Sequence, residues 1–179
     1  MPSFFPRSWC VPAAAVLLAA LLIACSPTFN WREVPVAGSG LVAMLPCKAD
    51  RAQRAVALGA ESVQVDMTGC DAGGATFAVA HASANGPAQA QAWLEAWRAA
   101  TRAQLGQAPV AESSAVLQRA AATPPPVRLD TAQGAAPVQI LWFAQSQKDG
   151  SVALYQATVL GQASSPDAPK TFFEGLRLP

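Results

Sequence analysis

The chain has 179 residues, with 12 Lys and Arg against 11 Asp and Glu. Near-neutral charge without a basic stripe argues against nucleic acid as a partner, and no acidic block suggests a solvating tail. Hydrophobic residues make up 52% of the chain, but many are Ala, which blurs periodicity.

The first segment carries Arg7 as its only charge, followed by an apolar run over residues 11–23. A membrane-spanning helix needs about 20 apolar residues. The shorter run suits the hydrophobic stretch of a secretory signal. It closes on Leu22-Ile23-Ala24-Cys25, which resembles the lipobox of bacterial lipoprotein precursors, where small residues precede a Cys. That resemblance implies that residues 1–24 are removed. It also implies that the Cys25 thiol receives a diacylglyceryl group and that the new amine is acylated, so the membrane becomes a partner through the lipid. An uncleaved anchor, or an ordinary signal cut nearby, is the alternative. Ser26 stands where lipoproteins kept in the inner membrane carry Asp, which implies the periplasmic face of the outer membrane. Residues 25–30 then form a lipidated start and short tether, with Pro27 stiffening it. Residues 31–179 are expected to be one domain, long enough to bury a core.

In that domain residues 31–36 read as a first strand. Gly38-Ser39-Gly40 turns, and residues 41–45 form a second strand ended by Pro46. Residues 54–58 read as a third strand. Val63, Val65 and Met67 then alternate with Gln64, Asp66 and Thr68 in the period of a half-buried fourth. Asp71-Ala72-Gly73-Gly74 turns into a strand over 75–81, where Phe77 and Val79 share a face. Gly86-Pro87 opens a helix with Pro at the tolerated first position. Ala90, Trp93, Leu94, Trp97, Thr101 and Leu105 fall within about 120° of arc at 3.6 residues per turn. Gly106 is placed to end the helix, and Glu95 and Arg98 can pair at i, i+3. Residues 115–120 read as a strand. Thr123-Pro124-Pro125-Pro126 must be extended, and residues 127–130 follow as a short strand. Residues 138–145 form a strong apolar strand, Lys148-Asp149-Gly150 a hairpin turn, and residues 151–160 return antiparallel. A loop over 161–169 precedes a short helix over 170–175 and a closing segment over 176–178.

This order gives an α+β fold: an antiparallel β-sheet backed by one long amphipathic helix and a short C-terminal helix. Three stretches, "LVAMLPCKAD", "GATFAVAHA" and "LYQATVLG … KTFFEGLRL", resemble in pattern the small domains of the PsbP/Mog1 type. The resemblance implies a binding or assembly-accessory role without catalysis. It carries over no site residues.

The chemistry-bearing residues are few. Cys10 falls in the signal and Cys25 takes lipid. Cys47 and Cys70 remain, and in an oxidising compartment a disulfide is the natural reading. The alternatives are two free buried thiols, or a metal site of Cys47, Cys70 and His81, which lacks the close Cys-x-x-Cys spacing of structural zinc. His81 is the only histidine, which excludes two-histidine zinc motifs. Ser39 could be imagined as its nucleophile, but Gly-Ser-Gly is a common turn and not a nucleophile elbow. Gly59, Gly69, Gly73 and Gly74 do not space as a dinucleotide fingerprint. Asp66 and Asp71 flank one strand and are read as scattered strand-end acids rather than a catalytic pair. Trp93 and Trp97 either bury against the sheet or, if exposed, mark a binding surface; their place in the apolar stripe favours burial. No catalytic set, metal site or cofactor is expected. The functional expectation is a membrane-anchored envelope lipoprotein that binds an envelope protein or assists assembly. The alternative is a small-ligand binder or hydrolase using a helix–sheet pocket near His81.

Overall fold

Strand-period alternation organises most of the chain into antiparallel pairs. The computed structural model describes residues 27–36, 38, 40–131 and 136–179. The expected secretory signal, the expected lipidation residue Cys25, Ser26 and Ser39 lie outside the described residues. β1 (Arg32–Pro35) and β2 (Val42–Leu45) form a hairpin of their own. β3 (Asp50–Leu58), β4 (Glu61–Ala72), β5 (Ala75–Ala84), β6 (Val110–Ser114), β7 (Val127–Thr131), β8 (Val138–Ser146) and β9 (Val152–Leu160) form a seven-stranded sheet. Its order is β3-β4-β5-β9-β8-β7-β6, and every pairing is antiparallel. α1 (Pro87–Leu105) links β5 to β6, and α2 (Ala168–Glu174) follows β9. The fold class is α+β and sheet-dominated. Among the described residues no helix is long and apolar enough to cross a membrane.

The central strands are apolar on both sides, so the sheet is covered twice. On one face α1 buries Ala90, Trp93, Leu94, Trp97 and Thr101. They pack with Val65, Ala82, Ile140, Trp142 and Leu154. Trp93 and Trp97 are 7% and 6% exposed, so they belong to the core and present no surface. The Trp93 indole donates to Glu61 at 3.1 Å, which also accepts from Gln89. Farther along α1, Arg98 and Arg102 both donate to Glu112 of β6, at 2.7 and 2.8 Å. Glu112 is the one half-buried residue of that edge strand, so the pair ties edge to helix.

On the other face the β1–β2 hairpin and α2 supply Leu41, Ala43, Leu45, Phe172 and Phe173 against Phe77, Val79, Phe143, Tyr155 and Val159. The hairpin shares no strand pairing with the large sheet. Cys47 and Cys70 form a disulfide with Cα atoms 6.0 Å apart, fastening the hairpin's end to β4. Closing that loop stabilises by roughly 3–4 kcal/mol on the chain-entropy estimate. Val42 and Arg177 exchange backbone hydrogen bonds, and Arg177 pairs with Glu33.

One expected strand is absent. Residues 115–120 turn at Gln118-Arg119, where Arg119 has φ 65° and the N–H of Ala120 returns to the carbonyl of Leu117. The strand lies earlier, at β6, because Val110–Ser114 is the stretch in register with β7. β3 also begins at Asp50, four residues sooner than its Ala-rich pattern suggests, because β4 is long enough to pair with all of it.

Two outcomes follow. Trp97→Ala should lower the unfolding free energy by about 3–5 kcal/mol, read from urea midpoints. Burial pushes the Glu112 carboxyl up, but hydrogen bonds and charge from Arg102 and Arg98 outweigh this and hold it below the ordinary carboxylate value. A depressed folded-state pKa stabilises above the unfolded value and is lost as pH falls through the folded one. Glu112→Gln should therefore destabilise the domain at pH 7, and the gap from wild type should narrow in acid below pH about 4.

Candidate functional site

The pairing register lines up one polar and aromatic row across five adjacent strands. Gln53, Asp66, His81, Tyr155 and Phe143 stand directly opposite one another on β3, β4, β5, β9 and β8. Directly opposed residues share a face, and this is the face that carries the β1–β2 hairpin. Gln53 Nε2 donates to Asp66 Oδ1 at 2.6 Å. Asp66 Oδ2 stands 3.8 Å from His81 Nδ1, beyond a direct hydrogen bond. The imidazole lies over Tyr155 with ring centroids 5.3 Å apart, and Tyr155 stacks on Phe143 at 4.8 Å. His81 is 8% exposed, and its Nδ1 has no hydrogen-bond partner. One position along the same face of β4, Thr68 is 1% exposed and its Oγ1 is likewise unpartnered.

Two clefts flank this row because the hairpin cover stops short. One, of about 500 Å³, lies where the hairpin turn meets the β8–β9 turn. Gly38, His81, Ser83, Gln147, Lys148 and Asp149 contribute to its wall. The other, of about 330 Å³, lies over β3 and β4 beside Arg51, Gln53, Asp66 and Thr68. Burial lowers the His81 pKa from its ordinary 6.5, against the opposing pull of the nearby Asp66 carboxylate. At pH 7 the imidazole is therefore neutral, with one donor and one acceptor nitrogen. Asp149 is held ionised by the hydroxyl and N–H of Ser151. The first cleft thus offers one ammonium, one carboxylate, an amide, hydroxyls and a neutral imidazole, a lining suited to a small polar molecule.

The expected site residues fall out as follows. Cys47 and Cys70 are bridged to each other, so they do not join His81 as ligands. Among the described residues no cluster of three or more His, Cys, Asp or Glu could hold a metal ion. Asp66 and Asp71 are five apart on one strand and so point to opposite faces. Asp71 is occupied by the Thr76 hydroxyl at 2.5 Å. Gly59 and the Gly73-Gly74 pair belong to two different strand turns, and Gly69 lies within β4. The expected pocket between helix and sheet near His81 is displaced. α1 contacts the alternate residues Ala82 and Val65, whereas His81 and its cleft lie on the opposite face. Strand alternation decides this, since His81 and Ala82 cannot face the same way. The Asp66–His81 pairing was within reach of the sequence: counting outward from the Gly73-Gly74 turn sets these two residues opposite each other. Tyr155 and Lys148 carried no signal as site residues, because their place beside His81 depends on β9 lying next to β5. The chain matches no protein-family model, and no curated protein matches it.

The lone histidine makes the site directly measurable. A folded-state pKa below 6.5 means the unfolded chain binds more protons between the two values. Stability should thus fall as pH drops through about 6.5 towards the folded value. The His81 resonances should titrate below 6.5 by NMR, and His81→Gln should remove the stability loss between pH 6.5 and 5. A titration at or above 6.5 would contradict the burial argument.

Proposed function

We propose that the chain is a lipid-anchored envelope protein whose domain holds a protein partner without catalysing a reaction. The observation that carries this reading is where the chain joins the fold. Phe29, four residues beyond Cys25, already packs edge-on to Phe77 at 6.5 Å and beside Trp31 at 6.1 Å. The N–H of Asn30 donates to the carbonyl of Pro46 at 2.7 Å. A lipid on Cys25 would hold the domain against its own membrane, since four residues span at most about 14 Å. Ser26 after the lipidated Cys favours the periplasmic face of the outer membrane. The order of strands, amphipathic helix, strands and short helix supports a domain of the PsbP/Mog1 type in an accessory role. Beside His81, the Ser151 hydroxyl is committed to Asp149 at 2.7 Å.

A second reading, a small-ligand binder at the His81 cleft, is favoured by the unpartnered Nδ1 of His81 and Oγ1 of Thr68. Burying such atoms without partners is unfavourable by about 1–3 kcal/mol each, which a polar ligand or water would relieve.

Growth with a fatty-acid analogue should label the wild-type chain and leave Cys25→Ala unlabelled. Crosslinking in intact envelopes should then recover the same partner with wild type and His81→Gln, and lose it with Cys25→Ala. Equal labelling of wild type and Cys25→Ala overturns the anchor. Loss of the partner with His81→Gln alone moves the function to the cleft.

A further inference from the structure

The structure gives the domain two unlike ends. The chain joins at Phe29, whose ring sits over the β4–β5 turn. A side chain at Gly73 would collide with that ring and come within 2.6 Å of the Ser164 hydroxyl, and Gly73 has φ 57°. Only glycine meets both demands. The N–H of Ser164 donates to the carbonyl of Gly73 at 2.7 Å, which brings the loop after β9 to the same end. The disulfide is here too, through Cys70 near the close of β4.

The other end holds the His81 cleft. β5 runs away from the Gly73-Gly74 turn at about 3.4 Å per residue, so His81 lies roughly 20 Å from Ala75. β9 runs antiparallel to β5 and starts at this far end. The β8–β9 turn with Lys148 and Asp149, and the β3–β4 turn with Ala60, therefore project from the far end.

Part of the near end is uncharged. From Val159 to Pro166 the chain carries no charged residue, and Asp71 and Asp167 flank the stretch. Val110, Thr131, Val138, Leu160 and Thr76 form one continuous transverse row along this end. Leu160 and Val110 are 46% and 39% exposed, two of the three large apolar residues so exposed among the described residues. The third, Val116, lies past the opposite end of β6. The row itself is uncharged, while Lys48, Asp50 and Asp71 are exposed on the β3–β4 side of this end; its exposed apolar side chains can meet lipid headgroups with little desolvation penalty.

We propose that this end, from the β4–β5 turn through Leu160 and Gln162, rests on the lipid bilayer, and that the His81 cleft and the β8–β9 turn face away from it. The orientation rests on the anchoring reading above. A tether of at most about 14 Å keeps the Phe29 end at the headgroups, and the apolar row, on the α1 side of that end, turns contact away from the face that carries the His81 cleft. A partner would then meet the far end first.

The test uses the full lipidated protein in vesicles of phosphatidylethanolamine and phosphatidylglycerol. With Cys25 acylated and Cys47 and Cys70 bridged, an added cysteine is the free thiol for a fluorophore. Gln162→Cys and Leu160→Cys report the near end, and Lys148→Cys and Ala60→Cys the far end. Headgroup-labelled quencher lipids should quench both near-end labels several-fold more than both far-end labels. Two positions at each end guard against one variant that fails to fold. Protein that floats with the vesicles but is quenched equally at all four positions overturns the orientation while leaving the anchor intact. Protein that does not float with them overturns the anchor, and the orientation with it.

Discussion

β4, β5, β9 and β8 carry buried side chains on both faces, and a sheet buried on both sides needs two covers. The chain supplies them by different means. One is a helix inserted between β5 and β6, with two tryptophans filling the depth over small residues such as Ala82 and Ala84. The Ala-rich face of β5 suits this, because small residues let a bulky helix face approach closely. The other cover is assembled from the two ends of the domain, a hairpin from its beginning and a short helix from its close. β5 carries Phe77 and Val79 towards this cover because little helix bulk is available there.

The His81 site is a by-product of how far that second cover extends. The hairpin spans the sheet from Cys47 to Gly38 and then stops. The row beneath its turn is occupied by Asp66, His81 and Tyr155, the ring of the last stacked on Phe143. Half-covered rows favour such residues. His81 and Tyr155 each have a ring to bury and a polar group, and Asp66 adds a part-exposed carboxylate. Towards the sheet edges burial fades, and charged residues take over the strands. β3 leads with Asp50 and Arg51, and Glu112 is drawn to the helix by two arginines. Charge along β3 also protects its unpaired edge from pairing with other chains.

How much of this was legible follows from the physics of each element. Strand alternation, tight glycine turns and a proline-opened helix are local properties, so β4, β5, β8, β9 and α1 could be read residue by residue. The disulfide could be reasoned from compartment and elimination, though its partners stand 23 apart in sequence. The misread stretch at 115–120 has an apolar composition for a different reason. Ala115, Leu117 and Ala120 pack against the core without strand pairing, and apolar burial alone does not distinguish the two. Sheet order was beyond local reading. β9 lies between β5 and β8 through non-local pairing with β5 and a hairpin with β8, and this placement completes the row around His81. Had β8 been the neighbour of β5, His81 would face another ring and the cleft another turn.

The position of the disulfide makes sense in the same frame. The β1–β2 hairpin is not hydrogen-bonded into the large sheet, so its attachment depends on side-chain packing, on Arg51 reaching the Pro35 carbonyl at 3.1 Å, and on the bridge through Arg177. Such a layer can peel as a unit more readily than a strand inside a ladder. Under the proposed anchoring, peeling would begin where the chain enters, at Phe29, since a lipid on Cys25 would pull there. Cys47 follows β2 at that very end, and its bond to Cys70 closes the layer onto the sheet's longest strand. The stacked Phe29 and Trp31 rings and the Asn30–Pro46 hydrogen bond lie beside it. A covalent link at the far turn would have left this end free to open. Placed here, it joins the first strands of the domain to its core where a membrane tether would load them.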